Sequence, residues 1–415
     1  MKKFTFTLLA ILAIKLSSYT QSAIWAVSSD SSYRSDDAYA VDVDNYGNKY
    51  IGGSFYESIV IDGVTYTNNS YTSNQCGYVA KYDAAGNVLW VRIMESILSQ
   101  VISLKVNRQT GECYSQGVFY SNLIINGVVQ STAPDTGWSR GMFTKFDANG
   151  NALWTNVIDA GYGIYSGVSI AIAPSGNSVY VIYLTILPIV FQTGETYPAY
   201  AHTLARLDGI DGHILAVRTD IPLYLLDASI LACDKDGNVI LAGNHRRNSM
   251  NEVNPVFPLV VNPSCAIPQG FVWKMDPNFV SISGKEISGG GSGFVSGIGT
   301  DKSDNVFIYG TFDSETTLDA TVITPVAGSF NSFVAKIYPP GTYSWINQLN
   351  ADGGFLNLYN DAEVAFAVDK NGKSYLGGGY IGTLSMDEDS IETGVLPVYS
   401  SNGYLIKLNK NGAVR

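Results

Sequence analysis

Charged residues and histidine are scarce in this chain. Of its 415 residues, Asp, Glu, Lys and Arg make up 15%, histidine occurs only as His202, His213 and His245, and the formal net charge is −11. Phosphate binding needs a basic surface, so this charge argues against a nucleic-acid partner. General acid–base catalysis usually needs His or a tuned carboxylate, and zinc needs several ligands placed together. No motif supplies such a set, so we predict no catalytic residue, metal or cofactor.

Cysteine is also rare. The four cysteines are Cys76, Cys113, Cys233 and Cys265. They fall at unlike positions of the strands described below, so no pair is expected within the Cα separation that a disulfide requires. We predict four unpaired, mostly buried thiols.

The sequence lacks a hydrophobic run long enough to span a bilayer. Its longest apolar stretch, 4–14, follows Lys2 and Lys3 and precedes small polar residues that end near Ala23. This three-part pattern is typical of a secretory signal peptide, and about eleven apolar residues are too few for a transmembrane helix. We therefore expect residues 1–23 to be a signal peptide and the mature protein to be secreted or held at the cell surface.

What the sequence has in abundance is repetition. A short block recurs in which apolar residues lead into Lys or Arg, another apolar residue and a polar turn. The six blocks occupy 78–83, 142–147, 203–208, 271–276, 333–338 and 404–409. They lie roughly 60 to 70 residues apart, as expected of a propeller or solenoid. Residues 24–415 are therefore predicted to form one repeat domain. The protein is also expected to be a monomer.

Each repeat is predicted to contain four antiparallel strands. In the first, these are 38–44, 49–55, 77–83 and 88–94, with Asn-Gly-type turns that suit the positive φ of hairpins. The second strand carries glycine at one position in five repeats, which indicates a bulge or a close backbone approach. These glycines are Gly53, Gly117, Gly243, Gly310 and Gly378. Strands apolar on both faces favour radially packed blades, hence an all-β, six-bladed β-propeller.

The two ends of the chain predict how the ring closes. The last repeat stops before a fourth strand, whereas Ile24-Trp25-Ala26-Val27 matches the fourth strand that contains Trp90 in the first repeat. An N-terminal strand that completes the sixth blade would hide two sheet edges. The recurrent Lys or Arg is interpreted as a long side chain that covers apolar surface and reaches water.

The pattern of Asp44–Gly53, Asp62-Gly63 and Tyr78–Trp90 resembles the bacterial SBBP-type β-propeller repeat. The likeness extends over nearly all of residues 24–415 and is weakest where Ala216 and Ser283 replace the tryptophan. It implies an exported or surface-located protein, and it implies no catalytic residues, since the family has none assigned.

The strand order places the longer connections on one side of the propeller, called here the long-loop face, where propellers usually bind. Aromatic rings beside carboxylates suit stacking on a sugar or cradling a peptide. The predicted binding residues are Tyr33, Asp36, Tyr162, Tyr165, Tyr224, Phe355 and Tyr359. The predicted function is thus a non-catalytic binding or adhesion module for a glycan or protein ligand.

Two alternatives stay open at this point. The first is a carbohydrate-active hydrolase or lyase whose carboxylates, such as Asp36, Asp227 or Asp361, meet at the mouth of the channel. The second is a purely structural surface protein.

Overall fold

The computed structural model describes residues 36–68, 75–132, 139–159, 169–185, 189–191, 196–197, 201–221, 230–245, 269–289, 291–326, 331–339, 341–351, 365–380, 383–386, 389–391 and 402–414. Throughout these ranges the regular secondary structure is β-strand, with no helix. The strands form six repeated units. In a complete unit we call the first strand the inner strand and the fourth the outer strand.

Units 1 to 3 each contain the four-stranded meander and a small hairpin between its second and third strands. Unit 1 comprises β1 (Asp37–Val43), β2 (Lys49–Tyr56), β3 (Ser58–Ile61), β4 (Val64–Thr67), β5 (Gln75–Tyr82) and β6 (Val88–Glu95). Unit 2 comprises β7 (Ser99–Val106), β8 (Cys113–Phe119), β9 (Leu123–Ile125), β10 (Val128–Ser131), β11 (Arg140–Phe146) and β12 (Ala152–Asp159). Unit 3 comprises β13 (Ser169–Ile172), β14 (Ser178–Thr185), β15 (Ile189–Phe191), β16 (Thr196–Tyr197), β17 (Ala201–Asp208) and β18 (Ile214–Ile221).

Units 4 to 6 repeat the plan with local differences. Unit 4 comprises β19 (Ile230–Cys233), β20 (Val239–His245), β21 (Gln269–Met275) and β22 (Ser281–Gly289). Unit 5 comprises β23 (Gly293–Thr300), β24 (Val306–Phe312), β25 (Thr316–Leu318), β26 (Thr321–Ile323), β27 (Asn331–Tyr338) and β28 (Thr342–Ala351). Unit 6 comprises β29 (Ala365–Val368), β30 (Ser374–Tyr380), β31 (Leu384–Met386), β32 (Asp389–Ile391) and β33 (Asn402–Leu408). The predicted strands of unit 1 are thus correct to within two residues.

A recurring Asp-x-x-Gly-Asn turn joins neighbouring strands. The Asp44 carboxylate accepts hydrogen bonds from the backbone N–H groups of Tyr46 and Asn48, both at 2.9 Å, while Gly47 has φ of 81°. The carboxylate holds the chain in the turn and glycine supplies the left-handed residue, which explains why this motif recurs. Asp83, Asp147 and Asp234 accept the corresponding pair of bonds.

The glycine of the second strand marks a bulge, as predicted. The pairing of β1 with β2 shifts between Ala38 and Ala40, opposite Gly53, and a Cβ on Gly53 would lie 1.9 Å from the carbonyl oxygen of Asp37. Gly117 sits in the same relation to the carbonyl oxygen of Gln100. Only glycine fits beside the bulged strand at this distance.

The inner strands contact one another in chain order. β1 contacts β7, β7 contacts β13, and the series continues through β19 and β23 to β29. Apolar clusters fill the space between successive units; in one of them Tyr50 and Val79 of unit 1 pack with Leu104 of unit 2. Consecutive meanders arranged side by side around their first strands have the architecture of propeller blades.

The small hairpins link each unit to the one before it. The first strand of four hairpins pairs antiparallel with the preceding outer strand: β9 with β6, β15 with β12, β25 with β22, and β31 with β28. A sheet therefore carries six strands where both parts are described.

The recurrent lysine also joins adjacent units, which corrects the interpretation that its charge reaches water. Lys81 is only 5% exposed, and its Nζ donates to the Ala148 carbonyl oxygen of the next unit at 2.9 Å. Lys145 likewise donates to the Gly209 carbonyl oxygen at 2.8 Å. Because a buried ammonium needs acceptors, the turn of the following unit provides what water would otherwise supply.

The two ends of the array expose apolar side chains that are covered elsewhere. Leu405 on β33 is 71% exposed, whereas its counterparts in the other units are at most 6% exposed. These counterparts are Val79, Phe143, Leu204, Val272 and Val334. Val41 on β1 is 66% exposed, although its counterpart Leu104 is 2% exposed. Unit 1 and unit 6 therefore each present an uncovered, apolar blade face.

Candidate functional site: a polar layer at the long-loop face

Most of the predicted binding residues fall outside the described part of the chain. This applies to Tyr33, Tyr162, Tyr165, Tyr224, Phe355 and Tyr359. Asp36 is described and lies directly before β1 at the long-loop face. Both of its carboxylate oxygens are shielded from solvent. Burial is the main cause that raises the pKa of Tyr78, and the negative charge of Asp36 adds to this effect.

A directed chain of hydrogen bonds crosses from unit 2 to unit 1 at this face. Gln100 Nε2 donates to Gln75 Oε1 at 2.6 Å, and Gln75 Nε2 donates to Ser54 Oγ at 2.7 Å. Ser54 Oγ in turn donates to the Tyr39 hydroxyl at 3.4 Å, and that hydroxyl donates to Asp37 Oδ2 at 3.0 Å. We call these five residues the polar chain. Its four hydrogen bonds all donate in the same direction, from the Gln100 amide to the Asp37 carboxylate.

The local structure explains why these side chains meet. Ser54 lies near the end of β2, Gln75 begins β5 and Gln100 is the second residue of β7, so all three lie at the same end of the units. Gly52, two residues before Ser54, faces Val101 of unit 2, so Ser54 faces the same boundary. Ser54 and Gln75 are buried, whereas Tyr39 is 46% exposed. Burial raises the pKa of Tyr39, and the adjacent Asp37 contributes to the shift.

A related polar contact occurs at the boundary between units 4 and 5. Asn244, which corresponds to Ser54, accepts a bond from the backbone N–H of Val295 at 2.7 Å. Gln269 at the start of β21 donates to the Gly291 carbonyl oxygen at 3.0 Å. Polar side chains at this end of the units form a layer that we call the polar layer. Its almost fully buried members include Ser54, Gln75, Arg140, Asn244, Gln269, Thr311, Asn331 and Ser332. Burying polar groups costs free energy unless they are hydrogen-bonded, so the hydrogen bonds described above are needed to hold this layer together. The interior at this end of the units is therefore polar, unlike the apolar clusters between the units.

From the sequence alone, His202 and His245 are both expected to be solvated loop histidines at the long-loop face. His202 instead lies at the start of β17 and is 2% exposed, so the expectation is wrong for this residue. The sequence does not show whether a residue precedes a strand or begins it. His213 lies on the opposite face, where its Nδ1 is 2.6 Å from Asp211 Oδ1. His245 ends β20, and its backbone pairs with Gln269.

An acidic cluster lies on the short-turn face. The carboxylates of Asp234, Asp236 and Asp304 approach within 4.8 Å of one another. Lys274 Nζ is 2.6 Å from Asp234 Oδ2, and Lys235 Nζ is 2.5 Å from Asp304 Oδ2. These ammonium groups already offset the negative charge, and Asp234 holds its own hairpin turn, so the cluster has a structural role.

The three described cysteines are free: Cys76 and Cys113 are buried, and Cys233 is partly buried. Cys265 lies outside the described ranges. Burial raises the pKa of the Cys76 thiol to about 12, which keeps it protonated at neutral pH and makes it a poor nucleophile.

Comparison with known proteins adds little to this geometry. No family model matches the chain, which leaves the SBBP-type resemblance a prediction, and no curated protein matches it significantly. A solved structure described as the Dos1 propeller is similar with TM-score 0.40 and 10% identity, over 85% of this chain and 77% of the other. The quinohemoprotein alcohol dehydrogenase of Comamonas testosteroni gives TM-score 0.31 and 11% identity, over 79% and 70%. Because these likenesses are weak, the propeller architecture rests on the strand order and contacts above.

The described residues contain no helix that is long and apolar enough to cross a membrane.

The polar chain was missed by sequence reasoning, which looked for aromatic residues in loops. A signal does exist: Gln75 and Gln100 are polar residues at the beginning of strands whose following residues are mostly apolar. Their sequence positions differ by 25, and nothing local indicates that the two amides touch.

Proposed function

We propose that this protein is a secreted, non-catalytic binding module that recognises a glycan at its long-loop face. The scaffold in this proposal is a six-bladed β-propeller closed by an N-terminal strand. The observation that carries the proposal is the polar chain, because the buried Ser54 and Gln75 hold the more accessible Gln100 amide and Tyr39 hydroxyl in fixed orientations. They do so at the end of the units where the longer connections lie. Neutral donors and acceptors of this kind suit the hydroxyl groups of a sugar.

Electrostatics supports a neutral ligand over a polyanion. The net charge is −11, and the polar chain ends on the Asp37 carboxylate. An anionic polymer would meet repulsion here, whereas a sugar hydroxyl can donate to a carboxylate and accept from an amide. Tyr39 offers an aromatic face that is half exposed, which suits stacking on a pyranose ring.

The test is a glycan array probed with the mature wild-type protein and two tyrosine variants. Tyr39→Phe removes a hydroxyl from the polar chain. Tyr46→Phe is the matched control, since Tyr46 is 72% exposed in a turn on the opposite face. We expect Tyr39→Phe to weaken binding about tenfold, the loss of one hydrogen bond to a charged group, and Tyr46→Phe to have no effect. Equal effects of the two variants, or binding to a peptide array and to no glycan, would refute the proposal.

Export is tested separately. If residues 1–23 are a signal peptide, protein recovered outside the cytoplasm begins near Ile24 when its amino terminus is sequenced. An exported chain that still begins at Met1 would contradict this part of the proposal.

A further inference from the structure

The direction of the polar chain is fixed by its last member. A carboxylate can only accept hydrogen bonds, so the Tyr39 hydroxyl donates to Asp37 Oδ2. The Tyr39 oxygen then accepts from Ser54, and Ser54 Oγ accepts from the Gln75 amide. Gln75 Oε1 in turn accepts from the Gln100 amide. The Asp37 carboxylate therefore decides which way each side-chain amide of the polar chain is turned.

This direction determines which polar atoms remain at the two ends of the polar chain. At one end, Gln100 uses one N–H group on Gln75, and no described residue donates a hydrogen bond to its Oε1. At the other end, Asp37 Oδ2 accepts from Tyr39, and Oδ1 is a further acceptor. Gln100 and Asp37 are both partly exposed. A ligand at the long-loop face thus meets two acceptors and only one remaining N–H donor.

The middle of the polar chain supplies an aromatic ring. Ser54 is fully buried and Gln75 is 6% exposed, whereas Tyr39 is 46% exposed. Burial is the main cause that raises the pKa of Tyr39, so its hydroxyl stays protonated at neutral pH and continues to donate to Asp37. Tyr39 therefore offers its ring to a ligand, while Gln100 and Asp37 offer polar atoms.

The negative charge of Asp37 has no counter-ion among the described residues. Asp42, Asp304 and Asp319 lie 3.8, 2.5 and 2.5 Å from a side-chain nitrogen of Lys or Arg. No described Lys or Arg forms such a pair with Asp37, whose carboxylate is bonded to the Tyr39 hydroxyl. The charge at this end of the polar chain is thus left for a ligand to offset.

The described cations of unit 1 lie at the opposite end of the unit. They are Lys49, Lys81 and Arg92, and each donates to a backbone carbonyl oxygen of a short turn. Unit 1 therefore separates its charges, with cations bound at the short-turn face and the Asp37 carboxylate at the long-loop face.

We propose that the glycan bound at the polar chain is an amino sugar, whose protonated amine lies against Asp37 and whose ring stacks on Tyr39. The ammonium donates to the carboxylate and is attracted to the aromatic face, and a sugar hydroxyl donates to Gln100 Oε1. This inference rests on the proposed function and names the class of sugar. The negative charge that disfavours a polyanion favours a sugar with a positive charge.

Three oligosaccharides with one backbone test the inference. Hexamers of β-1,4-linked glucosamine, N-acetylglucosamine and glucose differ only at carbon 2, which carries an ammonium, an acetamide or a hydroxyl group. Their affinities for the wild-type chain are measured by calorimetry at pH 6, below the usual pKa of an amine. We expect the glucosamine hexamer to bind about tenfold more tightly than the other two, the difference between a charge-assisted and a neutral hydrogen bond. This preference should shrink as salt is added, because salt screens exposed charges.

Two variants assign the preference to one carboxylate. Asp37→Asn removes the charge and keeps an oxygen that accepts from Tyr39, so the preference for the glucosamine hexamer should disappear. Asp62→Asn is the matched control, because Asp62 is exposed in the hairpin turn of unit 1 with φ of 51°, which asparagine tolerates. It changes the net charge equally and should keep the wild-type preference. Hexalysine, which has the ammonium groups without the sugar, should bind more weakly than the glucosamine hexamer.

The outcomes distinguish this inference from the proposal on which it rests. No binding to any glycan on the array would refute the proposed function. Binding of other glycans but of no hexamer, or equal affinity for the glucosamine and glucose hexamers, would overturn the inference and leave glycan binding intact. A preference that persists in Asp37→Asn would also overturn it. Hexalysine that binds as tightly as the glucosamine hexamer would do the same, because the acidic surface in general would then explain the attraction.

Discussion

The indole Nε1 of Trp90 donates a hydrogen bond to the carbonyl oxygen of Ala148 at 3.0 Å, across the boundary between units 1 and 2. The same carbonyl accepts from Lys81 Nζ, and Arg92 donates to the neighbouring Gly150 and Asn149 carbonyls. Trp345 and Asn347 make the equivalent contacts with Lys410 and Gly412. Side chains of the outer strand, together with Lys81 of the repeated block, therefore bind these units to the turn of the next unit.

Replacing the lysine of this contact should destabilise the fold. In Lys81→Met the carbonyl of Ala148 loses a charged donor and the Tyr50 ring loses the ammonium 5.0 Å from its centroid. We expect a loss of about 1.5 to 3 kcal/mol in the free energy of unfolding, measured by urea titration. Lys105→Met is the matched control on an exposed position of β7 and should change stability by less than about 0.5 kcal/mol. Equal losses in the two variants would show that the contact contributes nothing specific.

A side chain at the bulge glycine should be poorly tolerated. The added Cβ of Gly53→Ala would lie 1.9 Å from the Asp37 carbonyl oxygen, so the pairing of β1 with β2 must shift. We expect a loss well above the roughly 1 kcal/mol of an average substitution, together with displacement of the polar chain that includes Ser54. At Gly293 the nearest atom to an added Cβ is 3.5 Å away, so Gly293→Ala serves as the control in thermal melts. A melting temperature that falls no further in Gly53→Ala than in this control would contradict the prediction.

The exposed leucine of unit 6 gives a test of the closed ring. If an N-terminal strand covers Leu405, then Leu405→Asn removes a buried side chain and costs about 2 to 3 kcal/mol. Ile210, in a surface turn, is 73% exposed against 71% for Leu405. Ile210→Asn should therefore leave the unfolding free energy within about 0.5 kcal/mol of wild type. If both variants are equally neutral, Leu405 stays in solvent and the ring is open.

The fold should lose stability in acid through its turn carboxylates. Burial alone would raise the pKa of Asp234, but hydrogen bonds from Lys274 and Asn238 outweigh it and hold the pKa below its usual value. A lowered folded-state pKa stabilises the protein above the unfolded-state value of about 3.9, and this contribution disappears as the pH falls through the folded-state pKa. Asp234→Asn should melt lower at pH 7 and show a smaller further loss between pH 5 and pH 3. Asp236→Asn, in the same turn but exposed, is the control, and an unchanged acid dependence in Asp234→Asn would contradict the assignment.

Turns and strands were predictable from sequence because their causes are local. Asp44 accepts bonds from residues two and four positions later, and Gly47 adopts positive φ within the same turn. The bulge opposite Gly53 was also predictable, because a glycine inside a strand usually marks a bulge or a close backbone approach.

The role of Lys81 was not predictable in this way. Its acceptor is a backbone carbonyl 67 residues later, and a carbonyl has no identity in the sequence. The same distinction between local and long-range causes applies to the candidate site. The long-loop face followed from strand order, whereas the polar chain depends on two glutamines that come together only when units 1 and 2 pack.

The sequence by itself determined six repeated hairpin units and the positions of their turns, because short-range hydrogen bonding and glycine conformation act within a few residues. Only the tertiary structure decided which residues are buried between units, where each lysine finds its acceptor, and which blade faces remain uncovered. These properties depend on the neighbour that each unit packs against. The recurrent lysines and tryptophans are visible in the sequence, but the distant backbone carbonyls that accept their hydrogen bonds are not.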